Sequence, residues 1–279
     1  MKLTPVDLGL FDFVIAEGII NGQSSPSEFL SHVSTFVKPG GALVITTVNA
    51  FGVLDQALRR SYLPALKAKT SDFKELVQKC SEVFSSHLAY LPTTKTIDSW
   101  VQDAIIHPLA SNYIHSSDEA VKLLDEHFIF LGSSPKWHYD FKWHKALTIE
   151  NDTTNESFVA QSAFINLMSL DDRMDNPYDV WVRVRDLDLK GLDEICREIW
   201  ALSSSIVESN TYDSLGGLIS QLDKFEQKTE GRFDFISDSI SEYLNGISKL
   251  SQGEFDLPMP NFARWWGRGL NYLALLKRT

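Results

Sequence analysis

The chain has 279 residues, 43% of them hydrophobic and 23% charged, with 17 Phe, 8 Tyr and 7 Trp, which excludes a disulfide-stapled miniprotein and any long disordered stretch. Its 26 basic and 37 acidic side chains give a formal charge of −11, unsuited to a surface that tracks nucleic-acid phosphates. No apolar run approaches the roughly 18 residues of a membrane span, and the opening MKLTPVDLGLFDFVIAEG, with Asp12 inside its apolar part, is a poor signal peptide.

The first fifty residues read as an α/β unit. Phe11 to Ala16 (FDFVIA) is a nearly continuous apolar run, the pattern of a strand buried on both faces of a parallel sheet. Ser25-Pro26-Ser27-Glu28 opens a helix whose Phe29, Leu30, Val33 and Val37 recur at helical spacing. Lys38-Pro39-Gly40-Gly41 stops it, and Ala42 to Val48 (ALVITTV) is a second buried strand. Strand, helix and strand with short joints predict a right-handed parallel crossover.

From Leu54 to about Glu126 the pattern is helical. Phe73, Leu76, Val77, Cys80, Val83, Phe84 and Leu88 form one stripe, and Ile97, Trp100, Val101, Ala104 and Ile105 a second that ends near Pro108. A capped helix over Asp118 to Glu126 leads into a third strand, Phe128 to Gly132, and then into the aromatic stretch Trp137 to Leu147. Helices are predicted over roughly 156–169, 190–208, 213–227 and 234–250, enough for a small bundle or cap. Val180 to Val184 (VWVRV) alternates like a strand, and Leu270 to Leu276 reads as a closing strand.

Charge divides the chain in the same way. Residues 150–260 hold 22 acidic and nine basic side chains, a net −13, which leaves +2 for the remainder. The predicted organisation is a core of residues 1–149 and 262–279 interrupted by an acidic helical insertion or cap, 150–261. Cys80 and Cys196 each lie inside a helical apolar pattern, so no disulfide framework is expected and the setting is a reducing cytoplasm.

Taken together, GLFDFVIAEGII followed by SEFLSHVSTFVKPGGALVITTVN resembles the second half of a class I S-adenosylmethionine-dependent methyltransferase. The likeness rests on Asp12 at the start of a strand, Glu17-Gly18 at its carboxyl end, the helix around Phe29 to Phe36, Pro39-Gly40-Gly41, and the strand to Asn49. FIFLGSSPKWHYDFKWHK resembles the sixth-strand region of family members with a helical insertion, and FARWWGRGLNYLALLKR their closing strand. The resemblance implies an α/β fold, a partial Rossmann-like methyltransferase sheet from the fourth strand onward with large helical insertions.

The family binds its cofactor mainly through a Gly-rich loop after the first strand and an acidic residue after the second. No G-x-G-x-G follows a leading strand here. The expectation is therefore a truncated methyltransferase lacking its amino-terminal cofactor-binding half. Such a half-sheet would leave one edge and its apolar faces exposed, and a partner chain could supply the missing half. The expected function is S-adenosylmethionine-dependent methyl transfer to a small-molecule or carrier-linked acceptor, impaired in this chain. The alternatives are a non-catalytic, helix-rich interaction module derived from the scaffold, and a different Rossmann-like enzyme whose nucleotide loop is also missing.

Loops at the carboxyl ends of strands carry ligands in open α/β sheets. That assigns Glu17, Gly18 and Ile19 to the cofactor, or to a solvated turn, and Asn21 to the acceptor; many relatives carry a His where Asn21-Gly22 stand. Asn49 either lines the acceptor pocket or caps the following helix, the latter preferred. His138 and His144, with Asp140 to orient them, are candidates for a general base or acceptor contact beside Trp143, against the preferred reading of a packed aromatic edge. Arg264 and Arg268 could clamp an anionic acceptor; the preferred role sets them against acidic surface, with Trp265 and Trp266 packed. The seven histidines contain no H-x-x-x-H pair, so no metal site is predicted.

Overall fold

The computed structural model describes residues 4–70, 72–91, 93–107, 113–134, 154–255 and 257–279, the side chains of Thr154 and Ser157 excepted. The protein is α/β, with a mixed four-stranded sheet and many helices, an arrangement compatible with a partial methyltransferase-like fold. The chain groups into two compact units, each built from separate stretches: residues 1–49, 113–166 and 269–279, and residues 50–112 and 167–268. Helices from 50–112 thus group with those after 167, a division that cuts the chain differently from its charge pattern.

The first unit holds the sheet. Its elements are α1 (Pro5–Leu8), β1 (Phe11–Ala16), α2 (Pro26–Ser34), β2 (Val37–Val48), α7 (Ser117–Leu124), β3 (Phe128–Ser134), α8 (Thr154–Leu167, whose last residue counts with the second unit) and β4 (Leu270–Lys277). The strand order is β1-β2-β4-β3, with β1 parallel to β2 and β4 antiparallel to both of its neighbours. Leu43, Ile45, Leu273 and Leu275 are buried on the two middle strands. β2 begins earlier than its sequence suggests, because Lys38 to Gly41 are absorbed as an irregularity: Phe11 pairs with Val37 but Phe13 with Ala42. Gly41 permits this, since a Cβ there would stand 2.9 Å from the carbonyl oxygen of Asp12. At the far edge Asn155 ties α8 to β3, accepting the Phe130 N–H and donating to the Phe128 carbonyl, each at 2.7 Å.

β1 departs from the doubly buried strand expected of its apolar run. It is an edge strand, and Phe11, Phe13 and Ile15 lie exposed on one face, because no described strand pairs beyond it and nothing described covers that face. A continuous apolar run specifies burial only when neighbours are present to provide it.

The second unit is helical: α3 (Leu54–Arg60), α4 (Leu63–Lys67), α5 (Phe73–Leu88), α6 (Ile97–Val101) with a π-turn over Gln102–Ile106, α9 (Pro177–Val184), α10 (Leu189–Ser209), α11 (Leu215–Thr229), α12 (Asp234–Ser251) and α13 (Pro260–Arg264). The VWVRV segment is therefore helix and not strand. Asn176 accepts the N–H groups of Tyr178 and Asp179, Pro177 opens the first turn, and Val180 and Val184, four apart, are buried.

The core of this unit is organised around a charge. The Arg59 side chain is fully buried and donates to Asp55, to Nδ1 of His87 at 3.1 Å, and to the carbonyls of Phe262 and Trp265 at 3.1 and 2.7 Å. Its guanidinium lies 4.2 Å from the centre of the Trp266 ring. Burial, only partly offset by Arg59, pushes the Asp55 carboxyl up to about 6. His87 is held neutral by burial and by the adjacent guanidinium, which lets its Nδ1 accept. Cys80 and Cys196 are buried free thiols whose pKa values burial raises, Cys80 to about 12. No helix among the described residues is long and apolar enough to cross a membrane.

Candidate functional site

The carboxyl ends of β1 and β2 converge with the start of β4 in the strand unit. β1 ends at Ala16, and the chain turns through Glu17 and Gly18, whose φ of +68° suits a residue without a Cβ. The Gly18 N–H donates to Thr46 Oγ1 at 2.6 Å. Thr46 stands opposite Tyr272 in the β2–β4 ladder, and the Tyr272 hydroxyl donates to the Glu17 carboxylate. That hydrogen bond and the neighbouring negative charge raise the pKa of Tyr272. Three elements are thus stitched together at one strand end.

The turn after β1 makes a second attachment. Asn21 Oδ1 accepts the His115 N–H at 2.7 Å, and the His115 carbonyl accepts the Val48 N–H at 3.4 Å. The His115 side chain is 2% exposed, with Nδ1 3.8 Å from the Glu119 carboxylate. Glu119 also closes a capping box with Ser116 at the start of α7, and Thr47 shares a 2.7 Å hydrogen bond with Ser117. The backbone of His115, from a segment 94 positions away, is thereby held against Asn21.

Of the residues singled out from sequence, Glu17, Gly18, Ile19, Asn21 and Asn49 all lie in the strand unit. Ile19 is exposed. Asn49 is fully buried, and its N–H donates to the Gly269 carbonyl at 3.3 Å; Ala50 occupies the cap position of the turn that follows. Asp12 forms a 2.9 Å ion pair with Lys38 on the neighbouring strand. His138, Asp140, Trp143 and His144 lie outside the described residues.

Arg264 and Arg268 belong to the helical unit. Arg264 lies over the Tyr90 ring at 4.9 Å, while Arg268 donates through its side chain to the Asp172 carbonyl and through its backbone to that of Ser169 at 2.8 Å. Trp265 is fully buried and donates to the Leu170 carbonyl at 2.9 Å. Thr46, Tyr272 and His115 went unmarked in the sequence reading, because no local motif announces them. The helical unit also has a cavity of about 440 Å³ between Asp171 and Phe235, into which Arg183 and three further aspartates face. Its second arginine, Arg173, is held by both oxygens of Asp171, at 2.6 and 2.8 Å. Among the described residues no group of three His, Cys, Asp or Glu could hold a metal ion.

Neither a protein family nor a solved structure matches the chain. A stretch of 103 residues, 37% of the chain, is 30% identical to the tRNA U34 carboxymethyltransferase of Syntrophotalea carbinolica, and the match spans about a quarter, 26%, of that enzyme's length. This similarity supports a methyltransferase relationship.

Proposed function

We propose that the strand unit is the carboxyl-terminal half of a Rossmann-like class I methyltransferase core, and that the parent chemistry is S-adenosylmethionine-dependent methyl transfer to a small-molecule or carrier-linked acceptor. One observation carries this reading: each of the four segments that bear the resemblance contributes one strand, and the four strands pair in one sheet. The partial similarity to a methyltransferase points the same way. That relative acts on tRNA according to its name, but a chain with a net charge of −11 suits a small acceptor better than a polyphosphate.

Methyl transfer from a sulfonium is an in-line displacement, so the protein's contribution is chiefly to hold donor and acceptor in line, helped by a base when the acceptor carries a proton. The residues at the strand ends do not complete a site for the donor. The Gly18 N–H is used by Thr46, Glu17 accepts from Tyr272, and Asn21 Oδ1 is occupied by the His115 N–H. These strand ends carry no Gly-rich loop to cradle the cofactor, so on their own they should hold it weakly. Calorimetric titration with S-adenosylmethionine tests this: weak or absent heat is expected, and micromolar affinity would overturn the reading of a missing half-site.

The second reading is a non-catalytic interaction module derived from the same scaffold. The bare face and edge of β1 favour it. Binding without turnover would count against it as strongly as turnover, because it requires no cofactor.

A further inference from the structure

We propose that Arg60, in the helical unit, anchors a binding site for a small organic carboxylate. Arg59 and Arg60 follow one another on α3, and both are buried, at 0% and 4% exposure. Arg59 is matched by the Asp55 carboxylate. Arg60 pairs with no carboxylate among the described residues, and burial alone brings its pKa down to about 10. An unmatched charge inside a core is costly, so this cation calls for an anion from outside the chain.

The guanidinium is only half spent. Its Nη1 donates to the His107 carbonyl at 2.8 Å and to that of Ala104 at 3.5 Å. Gln56, one turn earlier on α3, donates to the same Ala104 carbonyl at 2.9 Å. α3 thereby grips the π-turn over Gln102–Ile106, an irregularity frequent at functional sites. These carbonyls carry partial charges, so they orient the cation without neutralising it. Nε and Nη2 donate to no described group, and neither is among the polar atoms sealed from solvent. Their two N–H groups form the edge that takes a carboxylate side-on through parallel hydrogen bonds. With Nη1 pinned, little side-chain freedom is left to lose on binding.

The charge of the ligand follows from the surroundings. One guanidinium balances one negative charge, and Asp103, on the π-turn itself, already holds Lys95 at 2.7 Å. A dianion such as phosphate would bring uncompensated charge into a buried place, whereas a carboxylate would not.

Acetate is the probe, with chloride at equal ionic strength as control and inorganic phosphate as the competing anion. In the 15N-labelled whole chain, the Arg60 Nε–H resonance, identified by its disappearance in Arg60→Lys, should shift saturably with acetate, with a dissociation constant of roughly 1–10 mM. The melting temperature of the parent should rise by a few degrees in about 100 mM acetate relative to chloride. That of Arg60→Gln, its fold checked by circular dichroism, should not. The titration of the parent decides the question even where Arg60→Gln fails to fold. A resonance that acetate leaves in place, an equal rise in the folded variant, or phosphate binding tighter than acetate would each overturn the inference.

Discussion

Replacing Arg59 by Met keeps most of the buried stem and removes the guanidinium. Four hydrogen-bond acceptors then lose a donor in the helical core: the Asp55 carboxylate, which keeps only backbone N–H donors, Nδ1 of His87, and the carbonyls of Trp265 and of Phe262, the last retaining the Trp265 N–H. Breaking a buried ion pair by removing one partner costs about 3–5 kcal/mol, and each buried acceptor left alone costs about 1–3 kcal/mol. These costs do not add, because they share one network. The expected loss near neutral pH is about 5 kcal/mol, a large fraction of the stability of a typical domain. Urea unfolding followed by tryptophan fluorescence measures it, since Trp266 stacks on the guanidinium. Adding Asp55→Leu to Arg59→Met should restore about 2–4 kcal/mol, because the stranded carboxylate disappears with its partner. The single variant's penalty should also shrink at about pH 5, below the raised pKa of Asp55, where the carboxyl is protonated. A loss below about 1 kcal/mol, or a double variant no more stable than the single, would refute the view that this charge organises the core.

Three further outcomes follow. The folded-state pKa of Asp55 is raised to about 6, so its favourable contribution is complete below the ordinary carboxylate range and is lost as pH rises through 6. The parent chain should lose about 3 kcal/mol of unfolding free energy from this group between roughly pH 4 and pH 7.5, and Asp55→Asn should lack that slope; identical profiles would count against it. Gly267→Ala would place a Cβ 2.3 Å from the Gly52 carbonyl oxygen, whereas Gly216, early in α11, opens onto free space. Thermal melts should show the first variant destabilised by about 2–3 kcal/mol and Gly216→Ala stabilised by about 0.5–1 kcal/mol. Asn155→Ala removes the described acceptor of the Phe130 N–H and a donor to the Phe128 carbonyl, and should cost about 1–3 kcal/mol while increasing hydrogen exchange at Phe130.

Much of the architecture was legible because it is local. The four strands and the long helices α5, α10, α11 and α12 announce themselves through period, caps and breakers, and α7 through its capping box. Misreadings arose where two local signals competed. VWVRV alternates like a strand, but Asn176-Pro177 before it fixes a helix start. Pro39-Gly40-Gly41 punctuates like a turn, yet the ladder absorbs it. The candidate site was legible only at its strand-end loop. Tyr272 meets Glu17 across 255 positions and Asn21 meets His115 across 94, separations that no window spans. Arg59 escaped notice for a different reason: an arginine in a helical pattern reads as surface, and only the carbonyls delivered by residues 262 and 265 make its burial tolerable.

The position of β4 bears on how the sheet is made. It lies between β2 and β3, yet it comes from Leu270–Lys277, whereas its neighbours end at Val48 and Ser134. As the chain leaves the ribosome, β3 has no strand to join until these residues emerge, and the emerging polypeptide carries two open edges in place of one continuous sheet. Loss of residues 270–279, by a premature stop or by proteolysis, would remove β4 from the middle of the sheet and divide it in two. The lifetime of that waiting intermediate, and its need for a chaperone, are set by when Leu270–Lys277 arrive.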